Sequence, residues 1–296
     1  FHWFEDGLAE HVWTNLGPSG SFLNAWSTVT NLPFVAFSNR GTVFHELYRN
    51  ALLFHLWRDK RDYYLDISGR AAKYFDSEDP FLKLERAYHL LISAPPNGRA
   101  LYHDLVVEFQ DIGVFSAWHT LNQHGLEHVR YGRLDQQSAG LVWEAAGQFS
   151  SIHGKNQEAI DRLKTAQSFY NQVDDREGLI RVLYSKAAYQ SLIGQAEGSA
   201  TDLQAAYDLA LKIGNSLYAG HVMYRIAELT NFGGDPGTAY DQYKKSFEWF
   251  ETTGDYAMQA RNLEFMAETN PSKDIKDRKR LYQEAIPLFE QGWARY

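Results

Sequence analysis

The sequence predicts a mostly α-helical chain, the larger part an α-solenoid of stacked helical hairpins. Three observations carry that expectation. Gly154, Gly194 and Gly234 stand forty residues apart, with small residues seven positions before each (Gly147, Ala187, Ala227) and five after (Ala159, Ser199, Ala239). A larger side chain follows at nine (Leu163, Leu203, Tyr243) and a small one at twelve (Ala166, Ala206, Ser246), and self-similarity at this period signals stacked repeats. Between the glycines, apolar residues recur at helical spacing, as in Leu141, Val142, Ala145, Ala146, Phe149 and Ile152.

The elements follow in chain order. In residues 1–78, Leu32–Pro33–Phe34–Val35–Ala36–Phe37 reads as a strand and Ser38–Asn39–Arg40–Gly41 as a turn, with Thr42–Val43–Phe44–His45 pairing back. An apolar helix Glu46–Trp57 follows, then a helix Tyr63–Phe75 burying Ala71–Ala72 and Tyr74–Phe75. Helices with a two-stranded wing describe a small winged-helix domain. Residues 79–135 read as a helical arm: Pro80–Ser93, a break at Pro95–Pro96–Asn97–Gly98, then Arg99–Asp111 and Val114–Gln123, punctuated by Gly113 and Gly125.

Residues 136–296 read as the superhelix. The first hairpin is Gly140–Ile152 and Gln157–Val173, with Gly154 suited to the left-handed end of a helix. The second is Glu177–Leu192 and Glu197–Ile213; the third is Leu217–Phe232 and Pro236–Thr252, with proline in a first turn that tolerates it. A less regular fourth pair, Tyr256–Thr269 and Asp274–Trp293, is expected to kink at Pro287, which removes a backbone donor.

Bulk properties exclude several functions. The absence of cysteine removes disulfides, thiolate metal sites and cysteine nucleophiles, and fits a reducing, cytoplasmic setting. Apolar runs such as Ala51–Trp57 are far short of the ~20 residues that span a bilayer. No signal peptide opens the chain, and its start at Phe1 marks it as part of something longer. Residues 1–100 carry 10 Lys+Arg against 11 Asp+Glu, and the remainder 19 against 26. An acidic superhelix repels phosphate backbones, so nucleic acid is not the expected partner.

Candidate constellations are sparse. Gly17–Pro18–Ser19–Gly20–Ser21 lacks the Lys–Ser/Thr of a phosphate loop and reads as a turn. His45–Glu46 lacks the second histidine of a zinc-protease helix, Arg49 standing in its place, so His45 reads as a packing residue. His119, His124 and His128 gather near Glu127, but Gly125 breaks the expected helix and the ligand set is incomplete, so no metal site is assigned. The basic run Lys273, Lys276, Arg278, Lys279 and Arg280 interleaves with Asp274 and Asp277 and reads as a solvated face. No catalytic triad or paired-carboxylate motif stands out, and no enzyme activity or cofactor is expected of these residues. Tyr184, Tyr224, Arg225, Tyr243 and Trp249 are the candidate partner contacts, since aromatic and arginine side chains dominate interface hot spots.

Two resemblances give these segments a context. Trp143, Ala146–Gly147, Gly154, Ala159, Leu163 and Ala166 resemble the tetratricopeptide repeat (TPR) pattern in a longer variant, with Leu183 and Met223 in the tryptophan slot of later repeats. That family implies a concave surface for a protein or small-molecule inducer. Leu32–Pro33–Phe34–Val35, the turn, and Val43 through Leu53 resemble the end of the winged helix in STAND signal-transduction ATPases. Ser68–Phe75 and Leu84–Leu91 are similar to that family's next helices. The resemblance implies a sensor and regulatory fragment whose nucleotide module, which would bind ATP, lies elsewhere. The alternative is a TPR scaffold with no switch.

Overall fold

The computed structural model describes residues 6–13, 21–38, 41–272 and 274–293. The expected turn at 17–20, the hairpin tip at 39–40 and Lys273 lie outside them. Two compact units divide the chain, Phe1–Ala145 and Ala146–Tyr296.

The first unit holds α1 (Asp6–Trp13), α2 (Phe22–Thr30), β1 (Val35–Ser38), β2 (Gly41–Phe44), α3 (Glu46–Asp59), α4 (Arg61–Tyr74), α5 (Pro80–Ser93), α6 (Pro95–Asp111) and α7 (Phe115–Arg130). The strands form an antiparallel hairpin in the register Val35↔Phe44, Ala36↔Val43, Phe37↔Thr42. Its first strand starts later than the sequence suggests, because Leu32 and Val35 amides bond Val29 and Leu32 carbonyls in a turn around Pro33, which has no donor to give. One core gathers Leu8, Val12, Ala71 and Phe75 with Trp26, Ile67 and Phe44; a second gathers Leu53, Tyr64 and Ile92. The His45 ring is exposed rather than packed inside, lying edge-on to Tyr48 at 6.3 Å.

Two breaks read from the sequence are close approaches instead. The prolines at 95 and 96 occupy the first positions of α6, where their missing amides cost nothing, and a Cβ on Gly98 would come within 2.5 Å of the α5 backbone at Leu90–Leu91. Helix α7 runs through Gly125, where a Cβ would meet Val142 at 2.8 Å and the Tyr102 hydroxyl at 2.9 Å. Both glycines let neighbouring segments touch.

The boundary between the units falls within α8 (Gln136–Ile152). The second unit continues with α9 (Asn156–Gln172), α10 (Arg176–Leu192), α11 (Ala196–Ile213), α12 (Ser216–Phe232), α13 (Pro236–Thr253), α14 (Tyr256–Thr269) and α15 (Ile275–Trp293). Helices α8 to α14 start at residues 136, 156, 176, 196, 216, 236 and 256, so the forty-residue repeat is two twenty-residue steps. Two residues before each start from α9 to α14 the backbone turns left-handed: Gly154, Asp174, Gly194, Gly214, Gly234 and Gly254 have φ between 51° and 88°. The following amide then reaches back to a carbonyl in the last turn, as Lys155 does to Ser150 and Asn215 to Ala210, which satisfies orphaned helix-end acceptors. Asp175, Asn215, Asp235 and Asp255 cap the helices that follow by accepting the amides of Gly178, Tyr218, Thr238 and Met258.

The small residues of the register lie inside, with Ala159, Ala187, Ser199, Ala227, Ala239 and Ser246 all fully buried. They let the two helices of a hairpin cross closely, and Leu163, Leu203 and Tyr243 fill the spaces between. The result is a TPR-like helical repeat. Helix α15 runs through Pro287, the residue expected to kink it. Among the described residues no helix is long and apolar enough to cross a membrane.

Candidate functional site

A groove of about 790 Å³ opens between the C-terminal halves of α10 and α12 and the N-terminal half of α11. Its floor is made of small side chains, Ala187, Ala188, Ala196, Ser199 and Ala200, so a partner could approach the backbone closely. Its rim carries Leu192 and Phe232, which are 69% and 89% exposed. These two occupy the same slot forty residues apart, the last residue of the first helix in each hairpin; Ile152, also exposed, is its counterpart in α8. The groove is thus edged by apolar side chains exposed at a repeated position.

The polar wall is Arg225 and Glu228. The Arg225 Nη1 donates to Glu228 Oε2 at 2.6 Å, and its Nε donates to the Tyr184 hydroxyl at 3.1 Å. Burial works against the guanidinium's charge, but the Tyr184 phenol and the Glu228 carboxylate more than offset it, so Arg225 titrates above its ordinary range. Tyr224 and Tyr243 are raised by burial first and by Glu228 second. At neutral pH Arg225 is therefore a cation and the Tyr224 and Tyr243 phenols are protonated.

Of the five expected contacts, Arg225 lines the groove and Tyr184, Tyr224, Tyr243 and Trp249 do not. Tyr184 and Arg225 are half-buried and hydrogen-bonded to each other, and of the two only Arg225 lines the groove. Tyr224 is buried beside them, its ring 5.5 Å from Tyr243 and 5.7 Å from Phe265. Tyr243 is fully enclosed in the α12–α14 core, stacked on Phe265 at 5.3 Å, and supports the wall without reaching solvent. Its place in the large-residue slot of the repeat register explains this: that slot faces the neighbouring helices. Trp249, on α13, donates to the Tyr207 hydroxyl at 3.3 Å and packs on the α10–α12 core. Glu228, Leu192 and Phe232 were not among the expected contacts. The forty-residue recurrence of an apolar residue at 152, 192 and 232 was the signal that could have found the rim.

Of the α7 histidines, His119 is exposed, whereas His124 and His128 serve packing. His128 stacks on Tyr88 at 4.0 Å with its Nε2 2.9 Å from the Tyr88 carbonyl, and His124 meets the same ring edge-on at 5.6 Å. Tyr88 in turn donates to Glu127, whose carboxylate takes Arg49 of α3 at 3.0 and 3.2 Å and Arg133 at 3.3 Å. This buried network ties α3, α5 and α7 within the first unit. Of the basic run, Arg280 pairs with Glu284.

No family model matches the chain, and no curated protein matches it in sequence. Solved structures match its fold. BtubC (BKLC) from P. vanneervenii superposes with a TM-score of 0.55 at 10% identity, over 78% of this chain and 91% of that one. A signal transduction ATPase with numerous domains (STAND) that has a tetratricopeptide repeat sensor, from Pyrococcus horikoshii, superposes at 0.53 and 11% identity, over 99% of this chain. The chain spans about half, 49%, of that protein's length. At these identities the likeness is one of fold, and the fold is a TPR-like helical repeat.

Proposed function

We propose that this chain is the sensing and regulatory part of a STAND-type protein, in which the repeat array captures an activating protein or small molecule and reports it to a nucleotide switch in another segment. The groove carries the reading: a small-residue floor, a mixed-charge wall and an exposed apolar rim form a surface suited to capture, with no convergent catalytic groups. Likeness of fold across nearly the whole chain to a STAND protein with a TPR sensor supports it. So does the order of elements, since a two-stranded hairpin among helices precedes the array, as a winged helix and arm would. The chain itself would hold no cofactor; ATP would sit in the switch module. Binding shifts a switch only if the ligand prefers one of two arrangements.

The test is the gene upstream of the codon for Phe1. The proposal expects a glycine-rich phosphate loop ending in Lys–Ser/Thr there. An upstream region without one would overturn the switch and leave a TPR scaffold.

A further inference from the structure

The first unit contains a second chamber, separate from the groove. It has a volume of about 270 Å³ and lies among α1, α2, α3 and α4, with Phe44 of β2 and His89 of α5 completing its wall. Its sides are apolar, including Trp13, Trp26, Leu53 and Ile67. A cavity of about 150 Å³ with such a lining is dry and takes benzene; this one has room for a body nearly twice that size.

The lining is polar at Ser68, Tyr64, Arg49 and His89. Ser68 is fully buried, lines the chamber, and its hydroxyl has no hydrogen-bond partner. A buried hydroxyl left unbonded calls for an explanation, because native interiors pair such groups. Arg49 is 9% exposed and Tyr64 is buried. Arg49 is a donor without acceptor capacity, while the two hydroxyls can donate, so an oxygen acceptor suits all three. The carboxylate behind Arg49, that of Glu127, is shared with the Arg133 guanidinium, so its charge is divided between two cations.

We propose that this chamber binds a small apolar monocarboxylic acid of about ten heavy atoms, its hydrocarbon body between α1 and α2 and its carboxylate on Ser68 beside Arg49. The proposal stands independently of the STAND reading, because it uses neither the groove nor a nucleotide module. Arg49 connects the chamber to Glu127 of α7, so the ligand sits against the network that ties α3 to the arm.

The experiment is calorimetric titration of the 296-residue chain with octanoate and with octan-1-ol, repeated on two variants whose folding is checked by circular dichroism. Octanoate is expected to bind at one site, quenching the Trp13 and Trp26 emission, and octan-1-ol at least about tenfold more weakly. Ala25→Phe, which fills the chamber from α2, is expected to abolish binding; Ala9→Leu on α1 serves the same purpose if the first variant does not fold. Ser68→Ala is expected to weaken octanoate about tenfold, the loss of one hydrogen bond to a charged group. No binding of octanoate at about 1 mM, equal binding of the alcohol, or binding that survives a folded filling variant would each overturn the proposal.

Discussion

Arg225 of α12 donates its Nε hydrogen to the Tyr184 hydroxyl of α10 across 3.1 Å, joining the first helices of two successive hairpins. The bond fixes the polar wall of the groove, because the same guanidinium reaches Glu228 at 2.6 Å. Tyr184→Phe removes the acceptor and keeps the ring. Because Arg225 is 42% exposed, water replaces part of what is lost, and the expected cost is about 0.5–1 kcal/mol. Thermal unfolding should show a fall of about 2 °C, and an unchanged midpoint would show the bond to be incidental.

The left-handed positions test the twenty-residue step. Asp174 is the one non-glycine among the described residues to take positive φ, at 51°, where the other helix ends use glycine. Asp174→Gly should raise the melting temperature by about 2 °C, since the side chain no longer opposes the backbone. Gly154→Ala, in open space at φ 73°, should cost about 1 kcal/mol by the same reasoning in reverse. Opposite signs at the two sites are expected; a destabilised Asp174→Gly would mean that the Asp174 ion pair with Arg176 outweighs the strain.

Helix capping supplies a pH signature. The Asp235 side chain accepts from Thr238, through its hydroxyl and its amide, which holds the carboxyl below its ordinary range. A depressed folded pKa contributes stability above the unfolded value near 3.9 and loses it as pH falls through the folded value. Asp235→Ala should therefore lower the melting temperature at pH 7, with the gap from the parent protein closing as pH drops below about 4. A gap that stays constant down to pH 2 would remove the carboxylate's charge from the account.

Much of the repeat fold was legible because its signals are local. The glycine register and the apolar spacing placed α8 to α14 closely, and α5 and α14 fall on the expected bounds. The twenty-residue step was hidden by one substitution, Asp174, which interrupts the series that Gly214 and Gly254 continue. Gly98 and Gly125 were misread as breaks because a glycine needed for close approach looks, in one dimension, like a glycine needed for a turn. The candidate site was half legible. Residue type pointed to Tyr184 and Arg225, but their meeting depends on how hairpins stack, which no local pattern encodes. Burial of Tyr243 was implied by the register it belongs to.

The proposed partner surface is the groove rimmed by Leu192 and Phe232. The most direct measurement replaces Phe232 with a photo-crosslinking phenylalanine analogue in the native cell, with the same analogue at exposed Glu251 of α13 as the control. A discrete crosslinked adduct is expected from position 232, lost when Leu192→Ser and Arg225→Ala are added, and none from position 251. Equal adducts at both positions, or an adduct at 251 alone, would contradict it.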